Sequence, residues 1–561
     1  MNQKYIDTLT ALTGPDQVFA FKEPDKKNDE IFHEFINIPN TLKEYFELGL
    51  MHPEKDWLVF NLERYSYKQI YQEAVRVACQ LQAEGIQKGD RIAICMPNNP
   101  EYVILFIAIT SIGAVCVPLN SWWVGSEIEY GLSDCEAKII FGDVKRLSSI
   151  NSFNIKKIVV REDHDSLINF NDWIDNNASD MPLVDMNKHD NATIFYTSGS
   201  TGFPKGVLSS HRNILSGLFS WALYSTLRNT VFGDGLTEAS EGVEPSILHC
   251  VPLFHVTGSH AGFLMSVISG RKMVMVSKWD TEEAMQLIQD EKITNITGVP
   301  TMTWEILTHP NRSSYDLSSL KELGGGGAHR PPEHVKKLNE EFAFAKPSIG
   351  YGLTETNAIG TLNGGNEYLS HPASCGKVVP PVTQLAIIEG DWNFLNQEKQ
   401  IGEVVIRSPA NMVGYWNKPE ATAEVMKDGW FRTGDLGYLE DGFLFIVDRA
   451  KDLVIRGGEN ISCIEVESSI SEHPAVFEVA VFGIPDDRLG EVLCAAVSLK
   501  SNKFLNEAEL KDFLKGKLAA FKIPLHIRIQ TEHLPKVGSG KFDKPSLRKE
   551  FVTFLQQIES N

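Results

Sequence analysis

Between residues 102 and 125 the chain carries no charged residue. A run of that length must be buried, either across a bilayer, which takes about 20 apolar residues, or inside a large core. Gly113 and Pro118 interrupt it. Both residues disfavour a continuous helix. The same letters divide into a helix through Ile112 and a buried strand, Ala114-Val115-Cys116-Val117-Pro118-Leu119. An apolar helix joined to an apolar strand is the unit of a parallel sheet covered by helices. The unit recurs. Residues 67–82 have helical periodicity and precede the strand-like Arg91-Ile92-Ala93-Ile94-Cys95. Lys138-Ile139-Ile140-Phe141, Ile158-Val159-Val160 and Lys272-Met273-Val274-Met275-Val276 continue the pattern. The alternation predicts an α/β chain with parallel sheets between helices.

At 561 residues the chain exceeds what one core supports. The first fifty or so residues are polar, with a helical patch near Leu42 to Leu50. Residues 402–406 and 442–447 are strand-rich, and Asp448-Arg449-Ala450-Lys451-Asp452 forms a charged break. Beyond it, residues 464–472, 476–482, 493–499 and 507–518 show their own helix–strand alternation. Exposed polar linkers mark domain boundaries. The expected division is a large domain over 1–447, parallel sheets covered by helices plus a smaller β region. A hinge over 448–452 follows, then a small mobile α+β domain over 453–561. Residues 232–245 read as a polar surface loop without a catalytic role.

Hydrophobic content of 42% and charged content of 22% suit a globular chain. A formal charge of −20 argues against sequence-independent nucleic-acid binding. The eight cysteines are scattered without a C-x-x-C pair, which points to buried reduced thiols rather than disulfides or a metal site. The first thirty residues contain no apolar signal region. Together these features predict a cytoplasmic protein without a transmembrane segment. Peripheral membrane contact stays open, as does the choice between monomer and homodimer.

The densest chemistry lies in Tyr196-Thr197-Ser198-Gly199-Ser200-Thr201-Gly202-Phe203-Pro204-Lys205-Gly206-Val207, with four aliphatic hydroxyls, three glycines and a lysine. Glycines let backbone N–H groups approach an anion, hydroxyls add donors and lysine adds a charge. That combination suits a polyphosphate. A Walker loop needs Gly-x-x-x-x-Gly-Lys-Ser/Thr opening into a helix, whereas Lys205 follows Pro204 and precedes Gly206. A strand over 191–195 precedes the loop, and a helix is expected to start at His211.

This run resembles the phosphate loop of the adenylate-forming superfamily, which includes acyl-CoA synthetases, aryl-CoA ligases, peptide-synthetase adenylation domains and luciferases. Four further segments match that family's motifs in order: Gly324-Gly325-Gly326-Gly327-Ala328, Gly350-Tyr351-Gly352-Leu353-Thr354-Glu355-Thr356, Trp430-Phe431-Arg432-Thr433-Gly434-Asp435 and Leu534-Pro535-Lys536-Val537-Gly538-Ser539-Gly540-Lys541. The resemblance implies that Thr197, Ser198, Gly199, Ser200, Thr201, Gly202 and Lys205 grip the ATP phosphates. Gly326, Gly327 and Ala328 would line adenine, with Gly350, Tyr351 and Gly352 beside it. Ile349 stands where many relatives carry a polar base-binding residue, so backbone groups would substitute. Thr354 would contact the α-phosphate and Glu355 hold Mg²⁺. Asp435 would bind the ribose diol, assisted by Arg449. Lys451 would be the hinge, Gly457 and Gly458 would line the coenzyme A tunnel, and Lys541 would bridge the carboxylate and the α-phosphate. The catalytic set is then Lys541, Lys205, Glu355 and Thr354.

Val251-Pro252-Leu253-Phe254-His255-Val256-Thr257-Gly258 matches the segment bordering the acid. Histidine at 255, where amino-acid adenylation domains usually carry aspartate, speaks against an amino-acid substrate. His249, His255 and His260 lack a second ligand cluster and do not read as a zinc set. Gly258, Gly262, Met265, Val299 and Met302 are apolar enough to face a hydrocarbon chain. The resemblance therefore implies ATP-dependent activation of a medium- or long-chain fatty acid to an acyl-adenylate, then transfer to coenzyme A. Its alternatives are an acyl-AMP ligase loading a carrier protein, luciferase-like oxygenation and a non-catalytic nucleotide sensor.

Overall fold

The uncharged run folds as the helix Pro100–Ser111 followed by the strand Val115–Pro118. The Asn99 side chain caps the helix by accepting from the Tyr102 N–H at 2.9 Å, and Pro100 occupies its first turn. Gly113, at φ +72°, turns the chain out of it. The helix is buried almost all round, within a core that includes residues of both large sheets. Phe106 meets Phe263 edge-on at 5.5 Å and Phe46 at 6.5 Å. Phe106→Ala should cost about 3–5 kcal/mol, the range for deleting a fully buried aromatic ring, read as a lower denaturant midpoint. Among the described residues no helix is long and apolar enough to cross a membrane.

The computed structural model describes residues 3–25, 31–174, 178–197, 203–233, 243–342, 344–456, 459–486, 488–537 and 540–559. Most of the 232–245 loop lies outside them. One large sheet has eight strands among the described residues. Arg91–Cys95, Val115–Pro118, Ile139–Gly142, Lys156–Val159 and Ile168–Asn169 run parallel, and Asn191–Thr197 joins parallel to Val115–Pro118. The parallel expectation fails at the next step. Lys205–Ser210 pairs antiparallel with Asn191–Thr197, and Gly414–Tyr415 closes that edge antiparallel. The phosphate-type loop therefore closes a hairpin. Only after the second strand does the helix His211–Phe232 begin, with Ser210 and Asn213 forming its capping box.

The second large sheet has fifteen strands among the described residues. Asp56–Phe60, Lys272–Met275, Ser246–His249, Asn295–Gly298, Glu322–Gly326 and Lys346–Tyr351 form its parallel half. The sheet continues antiparallel through Thr361–Gly364, Gly376–Val378, Phe443–Arg449, Trp430–Glu440 and Gly402–Arg407. The strand-rich stretch thus extends a parallel sheet instead of standing apart as its own β region.

After Phe443–Arg449 the chain enters a separate sheet, of five strands among the described residues. It comprises Val454–Arg456, Glu459–Ile461, Val476–Asp486, Gly490–Leu499 and His526–Gln530. Helices Cys463–Ser471 and Glu507–Leu514 contribute to one hydrophobic cluster and Lys544–Glu559 to another. The helix expected over 507–518 stops at Leu514. Two of the five proposed hinge residues, Asp448 and Arg449, still belong to the preceding strand. Asp448 is buried and accepts from the N–H groups of Arg449 and Cys463, while Ser462 Oγ donates to the Val447 carbonyl at 2.6 Å. Burial pushes the Asp448 carboxyl up to about 6.

Candidate active site

Thr197 and Lys205 face each other in register at the mouth of the hairpin. Ser198, Gly199, Ser200, Thr201 and Gly202 lie outside the described residues, as do Gly457 and Gly458. Because a strand separates the loop from His211–Phe232, no helix N-terminus follows it directly, unlike the Walker arrangement. Lys205 Nζ sits 4.8 Å from the centroid of the Tyr415 ring, and the Tyr415 hydroxyl donates to Glu355 Oε1 at 2.9 Å. Tyr415 thus joins two residues far apart in the chain. Sequence reasoning missed it; the only local signal was an aromatic pair after Gly414.

The glycine run is less a turn than a strand. Gly324, Gly325 and Gly326 end the strand Glu322–Gly326, paired parallel on both sides, and only Gly327, at φ +73°, leaves it. A Cβ at Gly325 would stand 2.5 Å from Arg330 Nη2. Gly326 runs beside Gly350, and Ala328 follows the turn half-buried. Ile349 packs with Val335 and Tyr368, so its side chain belongs to the core. A Cβ at Gly352 would come within 2.3 Å of the Ala358 carbonyl oxygen, which fixes the close return of the chain around Thr354–Thr356. Thr354 opens that short turn and Glu355 is buried in it.

Asp435 lies in mid-strand, not in a solvated turn. Its Oδ2 accepts from the Tyr351 hydroxyl at 2.7 Å, and its Oδ1 is 3.3 Å from Arg449 Nε. The register of the two antiparallel strands sets Asp435 opposite Arg449. Burial pushes the carboxyls of Asp435 and Glu355 above their ordinary range. Among the described residues no cation stands within ion-pair distance of Glu355.

Lys541 arrives from the small domain. Its Cε lies 3.5 Å from where a Cβ on Gly327 would stand. Burial, and then repulsion from Arg449, lower its pKa to about 8, against the opposing pull of Asp435 and Glu355. The same ammonium, after burial, helps push His255 down to about 3. His255 Nε2 is buried and has no hydrogen-bond partner among the described residues. Immediately after it, Thr257–Leu264 forms a π-helix, a rare element often found at functional sites and one the sequence did not announce. Thr257 Oγ1 stands 3.8 Å from the Cβ position of Gly327, so both face the same turn. His249 and His260 are buried and pushed down to about 4, and His260 Nε2 meets Asn357 Oδ1 at 3.0 Å.

Of the expected acid-pocket lining, Met302 sits in the core against Cys250 Sγ at 3.5 Å, while Val299 packs against Gly540. Lys451 is exposed in the turn between the last two sheets and does not reach this cluster. The structure therefore brings together Lys205, Glu355, Tyr351, Asp435, Arg449, Gly327, His255 and Lys541. Three cations, Lys205, Arg449 and Lys541, thus share one neighbourhood with the carboxylates of Glu355 and Asp435.

Comparison with known proteins identifies the family. The model of the AMP-binding enzyme family matches residues 49–416, and that of the AMP-binding enzyme C-terminal domain matches residues 465–541. A long-chain-fatty-acid–CoA ligase of Bacillus subtilis is 33% identical over 93% of this chain and 96% of its own. A mitochondrial medium-chain acyl-CoA ligase of Rattus norvegicus is 32% identical over 90% and 86%. A solved anthranilate CoA ligase in complex with anthranoyl-AMP aligns with a TM-score of 0.82 at 25% identity, covering 92% of this chain and 98% of that one. For a Mycobacterium tuberculosis fatty acyl CoA synthetase the TM-score is 0.69 at 29% identity, covering 92% and 99%. A match over most of the large domain, a second over the small one, and relatives of this similarity along nearly the whole length identify the chain as a member of the AMP-binding enzyme family.

Proposed function

We propose that this chain activates a medium- or long-chain fatty acid with ATP and passes the acyl group to coenzyme A, releasing AMP and pyrophosphate. The observation that carries this reading is the placement of Lys541 against Gly327, in the same field as Asp435, Glu355 and Arg449. Support for the acid comes from the fatty-acid and medium-chain ligases that the chain resembles over most of its length.

A carboxylate is a poor acyl donor because its leaving group would be oxide. In the first half-reaction its oxygen forms a bond to the α-phosphorus, and the bond to pyrophosphate breaks. The protein's part is to hold, align and neutralise. Thr197, Lys205 and the loop between them grip the β- and γ-phosphates. Gly326, Gly327, Ala328 and the Gly350-Tyr351-Gly352 backbone receive adenine, and Asp435 with Arg449 receives the ribose diol. Thr354 meets the α-phosphate. Lys541 spans the carboxylate and the α-phosphate, where the new bond forms. Glu355 fits Mg²⁺, being a buried carboxylate raised by desolvation with no cation at ion-pair distance among the described residues. Mg²⁺ held there would offset phosphate charge. In the second half-reaction the thiol sulfur bonds to the acyl carbon and AMP departs. The domain boundaries at 447 and 453, rotation about Lys451 after pyrophosphate leaves, and a coenzyme A tunnel at Gly457 and Gly458 complete the proposal. Cys95, Cys116, Cys135, Cys250, Cys463 and Cys494 are buried thiols, which suits the cytoplasm.

A panel of acids with ATP, with and without coenzyme A, followed by mass spectrometry tests the reading. Fatty acids should give acyl-CoA and AMP. Acyl-AMP without acyl-CoA would point to carrier loading, and AMP binding without turnover to a sensor; either result overturns the proposal.

The ionisation of Lys541 yields a pH prediction. The protonated amine is the form that bridges two anions. With its pKa at about 8 in the free enzyme, Asp435 and Glu355 retain the proton while burial and Arg449 expel it. The protonated share falls from about nine-tenths at pH 7 to about one-tenth at pH 9. Adenylation kcat/KM for ATP should fall about tenfold over that interval. Lys541→Arg, which stays charged, should lose this limb; an unchanged limb would assign it to another group.

A further inference from the structure

Lys536 precedes Lys541 by five residues and joins the two parts of the molecule. Its Nζ lies 2.8 Å from Glu305 Oε1, on the helix Pro300–Thr308 of the large domain. It also lies 2.8 Å from Glu478 Oε1, on the strand Val476–Asp486 of the small one. The Lys536, Glu305 and Glu478 side chains are only 22%, 15% and 3% exposed. Each carboxylate is also held from behind. Glu305 Oε2 accepts from Trp279 Nε1 at 2.6 Å and Thr281 Oγ1 at 3.3 Å, and Glu478 Oε2 accepts from the Leu534 N–H at 2.8 Å. The ammonium meets two preorganised acceptors, unlike a mobile surface pair. His533 Nδ1, 3.3 Å from Glu478 Oε1, is a further titratable neighbour.

The bridge is tied to Lys541 through the backbone. Lys536 pairs antiparallel with Phe542, and the Val537 N–H donates to the Lys541 carbonyl at 2.8 Å. The Gly540 N–H donates to the Val537 carbonyl at 2.7 Å. A Cβ at Gly540 would stand 2.8 Å from Val299 Cγ2, immediately before the helix that carries Glu305. Nearby, Lys500 Nζ lies 5.5 Å over the Trp304 ring, and His329 Nε2 meets Ser468 Oγ at 3.2 Å.

We propose that Lys536, by bridging Glu305 and Glu478, is a positioning residue for adenylation: it latches the small domain in the arrangement that presents Lys541 and must release before the acyl group is transferred to the thiol. This rests on the role proposed above for Lys541. Oxygens of Glu305 and Glu478 approach within 4.8 Å of each other. Removing the ammonium therefore cuts a tie and also leaves two carboxylates face to face across the domain junction.

That geometry dictates an unusual ordering of variants. Lys536→Met should slow acid-dependent pyrophosphate–ATP exchange about tenfold to a hundredfold, while thioester formation from supplied acyl-AMP stays at the parent rate or rises. Glu305→Gln alone should slow exchange less. Added to Lys536→Met, it should restore part of the lost rate by removing the repulsion. Equal loss of both half-reactions, or exchange at the parent rate in both single variants, overturns the latch. So does failure of Glu305→Gln to rescue Lys536→Met. Should a melting curve show Lys536→Met to be unfolded, Glu305→Gln decides alone: slowed exchange with intact thioesterification supports the latch, and unchanged exchange overturns it. Lys541→Ala measured alongside separates the two claims. If it leaves exchange intact, the parent reading has failed; if it stops exchange while the Lys536 and Glu305 variants do not, only the latch has.

Discussion

Lys541→Ala should slow adenylation about a thousandfold and leave thioester formation from supplied acyl-AMP within about twofold of the parent rate. One charge pair at about 4 Å, in an effective dielectric near 20, is worth about 4 kcal/mol. If that interaction grows as the carboxylate reaches phosphorus, it corresponds to about three decades in rate. The surroundings of Lys541 sharpen the expectation. Burial and Arg449 make its charged form costly before substrate arrives. Two substrate anions would relieve that cost, so the interaction strengthens when they are bound. Pyrophosphate exchange reports the first half-reaction and acyl-AMP plus coenzyme A the second. Equal losses in both would contradict a role confined to adenylation.

Glu355→Gln should lower adenylation about a hundredfold or more, the scale of removing one preorganised charge from the reacting centre. Its effect on stability should have the opposite sign. Burial raises the Glu355 pKa, with only partial relief from the Tyr415 hydroxyl and the charges on Arg449 and Lys205. A carboxyl whose folded pKa is raised binds protons more readily folded than unfolded. The folded state therefore loses stability as pH climbs from the unfolded pKa through the folded one. Glutamine removes that loss and keeps an oxygen for Tyr415. The melting temperature at pH 7 should hold or rise by a few degrees while activity collapses. A fall in both would mean that the carboxylate supports the fold more than the chemistry. Titration with Mg²⁺ provides a second readout: the variant should need a higher concentration for half-maximal exchange.

The chain's own letters made much of this legible. The helix and strand of residues 100–118 follow from an uncharged run broken by glycine and proline, because burial and backbone restriction are local demands. Gly325 and Gly352 mark close approaches that the structure realises against Arg330 and Ala358. Motif order along the chain pointed to ATP and to an acid. Other features stayed hidden. A hydroxyl- and glycine-rich loop reads alike whether it opens a helix or closes a hairpin. Only pairing with Lys205–Ser210 decides between them. Tyr415 acquires meaning because an edge strand sets it between Lys205 and Glu355. Strand register sets Asp435 opposite Arg449, and the fold brings the Tyr351 hydroxyl onto it, a contact that no local pattern announces. The π-helix after His255 shares its composition with any apolar helix.

Sequence by itself thus supplied the inventory: candidate residues whose chemistry suits phosphate, adenine, ribose and a cation, and the helix–strand alternation that carries them. Tertiary structure alone decided their company. Lys541 reaches Gly327 from more than two hundred residues away, and Lys536 finds Glu305 across a domain junction. The reason is physical. Local preference depends on neighbours within a few residues, whereas sheet register and domain docking are set by packing between segments that no local pattern relates.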